Sequence, residues 1–144
     1  MKSYEPVHPK YKEYTEYKIS LNRFMHELGF VIDVIRPGYT SGYLVFHPKH
    51  AQQNGWLHGG ITAAILDMVE GFAAYSLVPE GQQVFTVDAR VAYYNPGIAD
   101  KFYARGWVDK PGKRFHFCEG ELYYLDNAGN EVIVAKGTST MAIK

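Results

Sequence analysis

The apolar residues of this chain recur at two different spacings, one after the other. From about residue 58 to 76, Ile61, Ala64, Ile65, Met68, Phe72 and Tyr75 follow the period of one helix face. Leu66, Val69 and Ala73 widen that surface, so Thr62, Asp67 and Glu70 are the polar remainder. The spacing predicts one long helix whose stripe from Ile61 to Tyr75 faces a sheet. After it the period drops to two: Phe85, Val87, Ala89, Val91 and Tyr93 share one side of a strand, expected to be buried, and Thr86, Asp88 and Arg90 share the other.

Turn signals divide the rest. Residues 1–19 hold four Tyr (4, 11, 14 and 17) without a clear period and read as an extended arm or a short helix. Residues 20–28 carry Leu21, Phe24, Met25 and Leu28 at helical spacing, with Gly29 as a stop. FVIDVI, the Pro37-Gly38 turn and SGYLVFHP predict a β-hairpin. KFYARGWVDK, KRFHFCEGELYYL and EVIVAKGTSTMAIK follow as strands separated by Pro111-Gly112 and by DNAGN at 126–130. In the last of these, Ile133, Ala135, Gly137, Ser139, Met141 and Ile143 line one side. The order is hairpin, long helix, then a four-strand meander. Tight turns favour an antiparallel sheet, and only the 58–76 helix, roughly 27 Å long, is apolar enough to cover it. The expectation is an α+β domain over 20–144, a sheet wrapped around one central helix.

Composition narrows the function. The 144 residues are 47% hydrophobic, enough for one real core, and 15 Lys plus Arg balance 15 Asp plus Glu. That balance gives no global field to recruit nucleic acid or an anionic membrane. The single Cys118 has no disulfide partner in the chain, and the N-terminus lacks an apolar leader segment. No apolar run nears the roughly 20 residues that span a bilayer. A soluble cytoplasmic protein is expected.

Asp67 carries the chemistry. A helix with so little polar surface is expected to bury its second face too, against another subunit, and a carboxylate left there is paired or functional. Ala63, Ala64 and Gly71, its neighbours one turn away, keep the space in front of it open. Glu70 is expected at the rim of a substrate pocket. At the other end of the helix, Gly59 and Gly60 present N–H groups without intrahelical partners, and no side chain blocks a carbonyl from reaching them. Gly59 and Asp67 lie eight residues apart, roughly 12 Å along the axis, whereas a reacting carbonyl lies about 3 Å from both its donor and its attacker. If both act, two antiparallel chains must share each site, and two-fold symmetry makes two equal sites.

The stretch GWLHGGITAAILD resembles the signature of the hotdog-fold acyl-CoA thioesterases of the phenylacetate-pathway (PaaI-like) type. Gly55, His58, Gly59, Gly60 and Asp67 fall in register, and FTVDARVAYYNPG resembles the family's strand after the helix. The likeness spans about residues 28–143. It implies a hotdog fold and hydrolysis of an acyl-CoA thioester at a dimer interface, with no metal or cofactor, since coenzyme A is part of the substrate. It implies a dimer at least, commonly a pair of dimers. By position, the Gly59 N–H would polarise the carbonyl and His58 would shape that loop. The partner chain's Asp67 would act as general base or nucleophile, and Thr86 would hold the water. Gln52 stands where the family often has Asn, one methylene shorter. Strict alternation places Thr86 opposite the core face, so its role requires a bulge or an interface. Gly60 and Trp56 are further substrate-contact candidates.

Coenzyme A carries phosphates, and Lys110, Lys113 and Arg114 around the 111–112 turn, with Arg90, are the cations expected to meet them. His47, His50 and His116 read as structural or surface residues. Two other classes stay open. A hotdog hydratase or dehydratase on acyl-CoA or acyl-carrier protein needs a His base at the cleft. A non-catalytic acyl-CoA-binding protein would be inert to every thioester.

Overall fold

The computed structural model describes residues 1–144. In chain order it contains α1 (Tyr11–Ser20), α2 (Arg23–Leu28), β1 (Phe30–Arg36), β2 (Tyr39–Val45), a 3-10 turn (Pro48–His50), α3 (Gly59–Tyr75), β3 (Val84–Tyr93), β4 (Lys101–Lys110), β5 (Phe115–Leu125) and β6 (Glu131–Ile143). The arm is a helix rather than an extended segment. It buries only Thr15, which is why no apolar period betrays it. Contacts far along the chain hold it: the Tyr14 hydroxyl donates to Glu80, and the Tyr4 hydroxyl donates to the Val108 carbonyl at 3.0 Å. The helix expected over 20–28 starts at Arg23 because the Asn22 side chain accepts from the Met25 N–H at 3.0 Å, and it stops at left-handed Gly29.

The six strands form one antiparallel sheet in the order β1-β2-β4-β5-β6-β3. The expected four-strand meander is corrected to three: β3 pairs with β6 at the far edge, and β4 pairs with β2. The β3–β4 connection passes the N-terminus of α3, where Gly97 and Asp100 carbonyls accept from the Leu57 and Phe46 N–H groups. Asn95-Pro96-Gly97 signals a reversal but not the edge to which the chain returns. Burial decides that. Phe102, Ala104, Gly106 and Val108 of β4 are covered by α3, so β4 takes a central place.

α3 lies against the sheet through part of its predicted apolar stripe, since Ile65 and Met68 are buried in the core, but the buried face is rotated and wider than that stripe. Thr62, Leu66, Val69, Glu70 and Ala73 are buried beneath the strands, while Phe72 and Tyr75 stay half-buried on the flank. The cause is a glycine row, Gly106, Gly120 and Gly137, in register across β4, β5 and β6. A Cβ on Gly106 would strike the Val69 backbone, and one on Gly120 or Gly137 would strike the Glu70 carboxyl. Close helix–sheet approach thus sets the rotation of α3, and the Thr40 hydroxyl secures it by donating to the Val69 carbonyl at 2.7 Å. The principal core includes Met25, Phe30, Leu44, Ile65, Phe102 and Leu122. On β6, Ala135, Gly137, Ser139 and Met141 face inward as expected.

β3 also departs from strict alternation. A bulge between Thr86 and Asp88 turns Thr86 inward and leaves Phe85 and Val87 each 53% exposed, while beyond it Val91 packs on the core and Tyr93 reaches the start of α3. No helix is long and apolar enough to cross a membrane.

Candidate active site

The bulge brings the two ends of the predicted chemistry on β3 and α3 together. Asp67 is exposed on the flank of α3 beside edge strand β3, and the Thr86 hydroxyl donates to its Oδ1 at 2.6 Å. Thr86 Oγ1 also lies 3.4 Å from Met141 Sδ, which fixes the hydroxyl between a carboxylate and an apolar wall. The carboxylate opens into a cavity of about 270 Å³ walled by Met68, Phe72, Tyr75, Val84 and Phe85. With Thr86 taking one oxygen, the other remains available to a water or to a carbonyl carbon.

The N-terminus of α3 forms a separate place. His58 is its N-cap, and its Nδ1 accepts from the Gly60 N–H at 2.8 Å. That occupies the Gly60 donor. The Gly59 N–H donates to no group of the chain. The Tyr93 hydroxyl donates to the Gly59 carbonyl at 2.6 Å and holds this turn in place. A cavity of about 550 Å³ opens there, lined by Gln52, Trp56, Gly59, Tyr93, Tyr94 and Asn95 among others. It shares no lining residue with the Asp67 cavity. The helix therefore carries a carboxylate facing one cleft and a free main-chain donor facing another. Gln52 is anchored within its loop: its main-chain N–H donates to the Trp56 carbonyl at 2.8 Å, and its side-chain oxygen accepts from the Asn54 N–H.

Glu70 is not the rim residue its sequence position suggested. It is 2% exposed, lines neither cavity, and lies between α3 and the glycine row with Oε2 accepting from Ser139 and Oε1 unpartnered. Burial pushes its pKa up to about 7, against the lowering effect of the Ser139 hydrogen bond. The polar residue hidden inside the helix–sheet layer is Glu70, and Asp67 is the accessible one.

The four cations do not form one cluster. Arg90 lies on the outer face of the sheet with Glu119, Glu121 and Lys136, on the opposite side from α3. Lys110, Lys113 and Arg114 are exposed at the β4–β5 hairpin, where Lys113 borders a cleft with Leu77 and His116. His116 and His50 are buried. The His116 ring accepts from the Gly112 N–H, and His50 bridges the His47 N–H and the Leu28 carbonyl, both structural duties. Four residues went unrecognised in the sequence. Tyr93 braces Gly59, while Lys18, Asn22 and Gln83 line the Asp67 cavity. Lys18 and Asn22 come from the arm and its junction with α2, and no local pattern links them to a helix that begins only after the β1–β2 hairpin.

Comparison with known proteins agrees with this architecture. The family model of the thioesterase superfamily matches residues 54–130, more than half of the chain. A thioesterase family protein from Silicibacter pomeroyi is 31% identical, with 92% of this chain and 97% of that one covered at a TM-score of 0.88. The Escherichia coli PaaI protein of the phenylacetic acid degradation operon is 16% identical over 92% of each chain, TM-score 0.80. A Haemophilus influenzae thioesterase is 19% identical over 88% and 86%, TM-score 0.76. At such identities the last two show the fold alone. No curated protein matches. The family match, together with a sheet wrapped around one helix, places the chain in the thioesterase superfamily, as a hotdog-fold thioester hydrolase.

Proposed function

We propose that the chain hydrolyses acyl-CoA thioesters at two equivalent sites, each built from the Asp67 cavity of one protomer and the Gly59 turn of another. The observation that carries this is the separation on α3 of an accessible carboxylate and an unused main-chain donor into two clefts. The partner's Gly59 N–H, at the positive end of a helix, receives the carbonyl oxygen as it becomes an oxyanion. Asp67, held by Thr86, takes a proton from water as the water oxygen attacks the carbonyl carbon. The C–S bond then breaks and the coenzyme A sulfur recovers the proton. Direct attack by Asp67, giving a mixed anhydride that water cleaves, uses the same atoms.

The open edge of β3 supports pairing of two copies. It presents unpaired main chain with exposed Phe85, Val87 and Tyr93, an arrangement that monomers avoid. Such dimers can pair again, as is common in the family. The hydratase reading has less support, since no histidine lines the Asp67 cavity and His58 of the Gly59 turn spends its Nδ1 on capping α3.

Free-thiol release across short, long and aromatic acyl-CoAs tests the activity, and inertness throughout would favour a binding protein. Gly59→Pro tests the sharing. Proline removes the N–H but suits a first helical position, and His58 at φ −64°, ψ 133° already has the extended backbone that precedes proline. The variant is expected to be folded and inactive. Mixed with Asp67→Ala and allowed to re-pair, it should regain about a quarter of the wild-type rate: random pairing makes about half of the dimers mixed, and each has one intact site of two. No recovery would place both groups in one chain's site.

A further inference from the structure

The arm supplies a cation to the cavity that holds Asp67. Lys18, on the last turn of α1, is half-buried and lines that cavity together with Met68, Phe72, Tyr75 and Phe85. The chain has as many acidic as basic residues, and five ion pairs form, yet none involves Lys18. The carboxylate of Asp67 is engaged by Thr86 instead. The cavity's other polar groups add donors: Asn22, whose Oδ1 is used to cap α2 and whose amide NH₂ is free, and Gln83, whose side chain has no partner. The cavity of about 270 Å³ thus combines apolar walls with a carboxylate on α3, an ammonium without an ion-pair partner on the arm, and amide groups at Asn22 and Gln83.

We infer that the acyl group cleaved here carries a carboxylate at its far end, and that Lys18 reads it. The substrates are then mono-thioesters of dicarboxylic acids, and the arm is a specificity element. The inference rests on the assignment of Asp67 as the acting carboxylate. An apolar-walled cavity selects chain length weakly, whereas an unpaired charge inside it discriminates strongly, because a neutral acyl end leaves the ammonium desolvated without a partner. A phosphate of coenzyme A is the other anion that Lys18 could meet. The aromatic and methionine walls favour the acyl chain.

The test compares hexanoyl and adipoyl thioesters, which differ by a terminal carboxylate, each as the coenzyme A and the N-acetylcysteamine thioester, the latter free of phosphate. Wild-type protein is expected to favour adipoyl by roughly tenfold or more in kcat/KM in both series. Lys18→Met should bring that ratio to about one, mainly through KM, and Lys18→Arg should restore most of it. A wild-type ratio near one, or a ratio that survives Lys18→Met, overturns the inference while leaving Asp67 in place. A Lys18→Met loss seen equally for both coenzyme A thioesters and for neither N-acetylcysteamine thioester also overturns it, and assigns Lys18 to a phosphate. If Asp67→Ala hydrolyses all four as fast as wild type, the site itself is misplaced, and this inference falls with it.

Discussion

Asp67 and Glu70 are two carboxylates on one helix, three residues apart, and their surroundings make them different chemical groups. Asp67 points past the edge strand β3 into an open cleft, with one hydroxyl partner and room for a water. Glu70 points into the layer between α3 and the sheet, with Ser139 on one oxygen and nothing on the other. Three steps of about 100° leave them only about 60° apart around the axis, so a small rotation of α3 decides which of them is covered. The lesson is that access, more than residue type, separates the carboxylate that can act from the one that shapes stability. A buried carboxyl whose pKa stands at about 7 is largely protonated in mildly acidic solution and makes a poor charge for catalysis there.

The sharpest way to break this comparison is to neutralise each in turn. Asp67→Asn keeps the shape and removes the base; kcat should fall roughly 100- to 10,000-fold, with the oligomer intact by gel filtration. If instead Glu70→Gln abolished turnover and Asp67→Asn did not, the two roles would be exchanged. Glu70→Gln is expected to act on stability. The folded-state pKa of Glu70 is raised above the ordinary carboxyl value of 4.5 to about 7, so the fold favours the protonated form. Its burial carries no charge penalty below pH 4.5, stability declines as pH rises toward 7, and the decline ends above 7. Chemical denaturation across that window should show the wild type losing about 3 kcal/mol relative to Glu70→Gln. Parallel curves would mean that Glu70 ionises freely in the fold. The smallest effect is expected at Thr86: Thr86→Val keeps the strand and removes one hydrogen bond to Asp67, lowering kcat/KM about tenfold. An unchanged rate would show that Asp67 needs no positioning from β3.

Much of this site was legible along the chain because its parts are local. His58, Gly59 and Asp67 belong to one helix, and helical spacing alone separates the donor from the carboxylate by a distance no single carbonyl spans. The Thr86 contact was legible only conditionally, because two-residue alternation points that side chain away and a bulge at Val87 reverses it. Glu70 was misplaced for a related reason. Helical periodicity measures where apolar mass lies, and here the helix turns its side toward a row of glycines that contributes no apolar mass.

By itself, the sequence determined the element types, the long helix with its capped glycine start, the spacing of Gly59 from Asp67, and the membership of a hotdog family. These depend on periods and neighbours within about one element. Only the tertiary structure decided that β3 crosses to the far edge, that α3 rotates to bury Glu70, and that the arm brings Lys18 into the cavity of Asp67. Each depends on close contact between segments distant in sequence, where the volume left by a missing Cβ or an extra strand residue outweighs local preference.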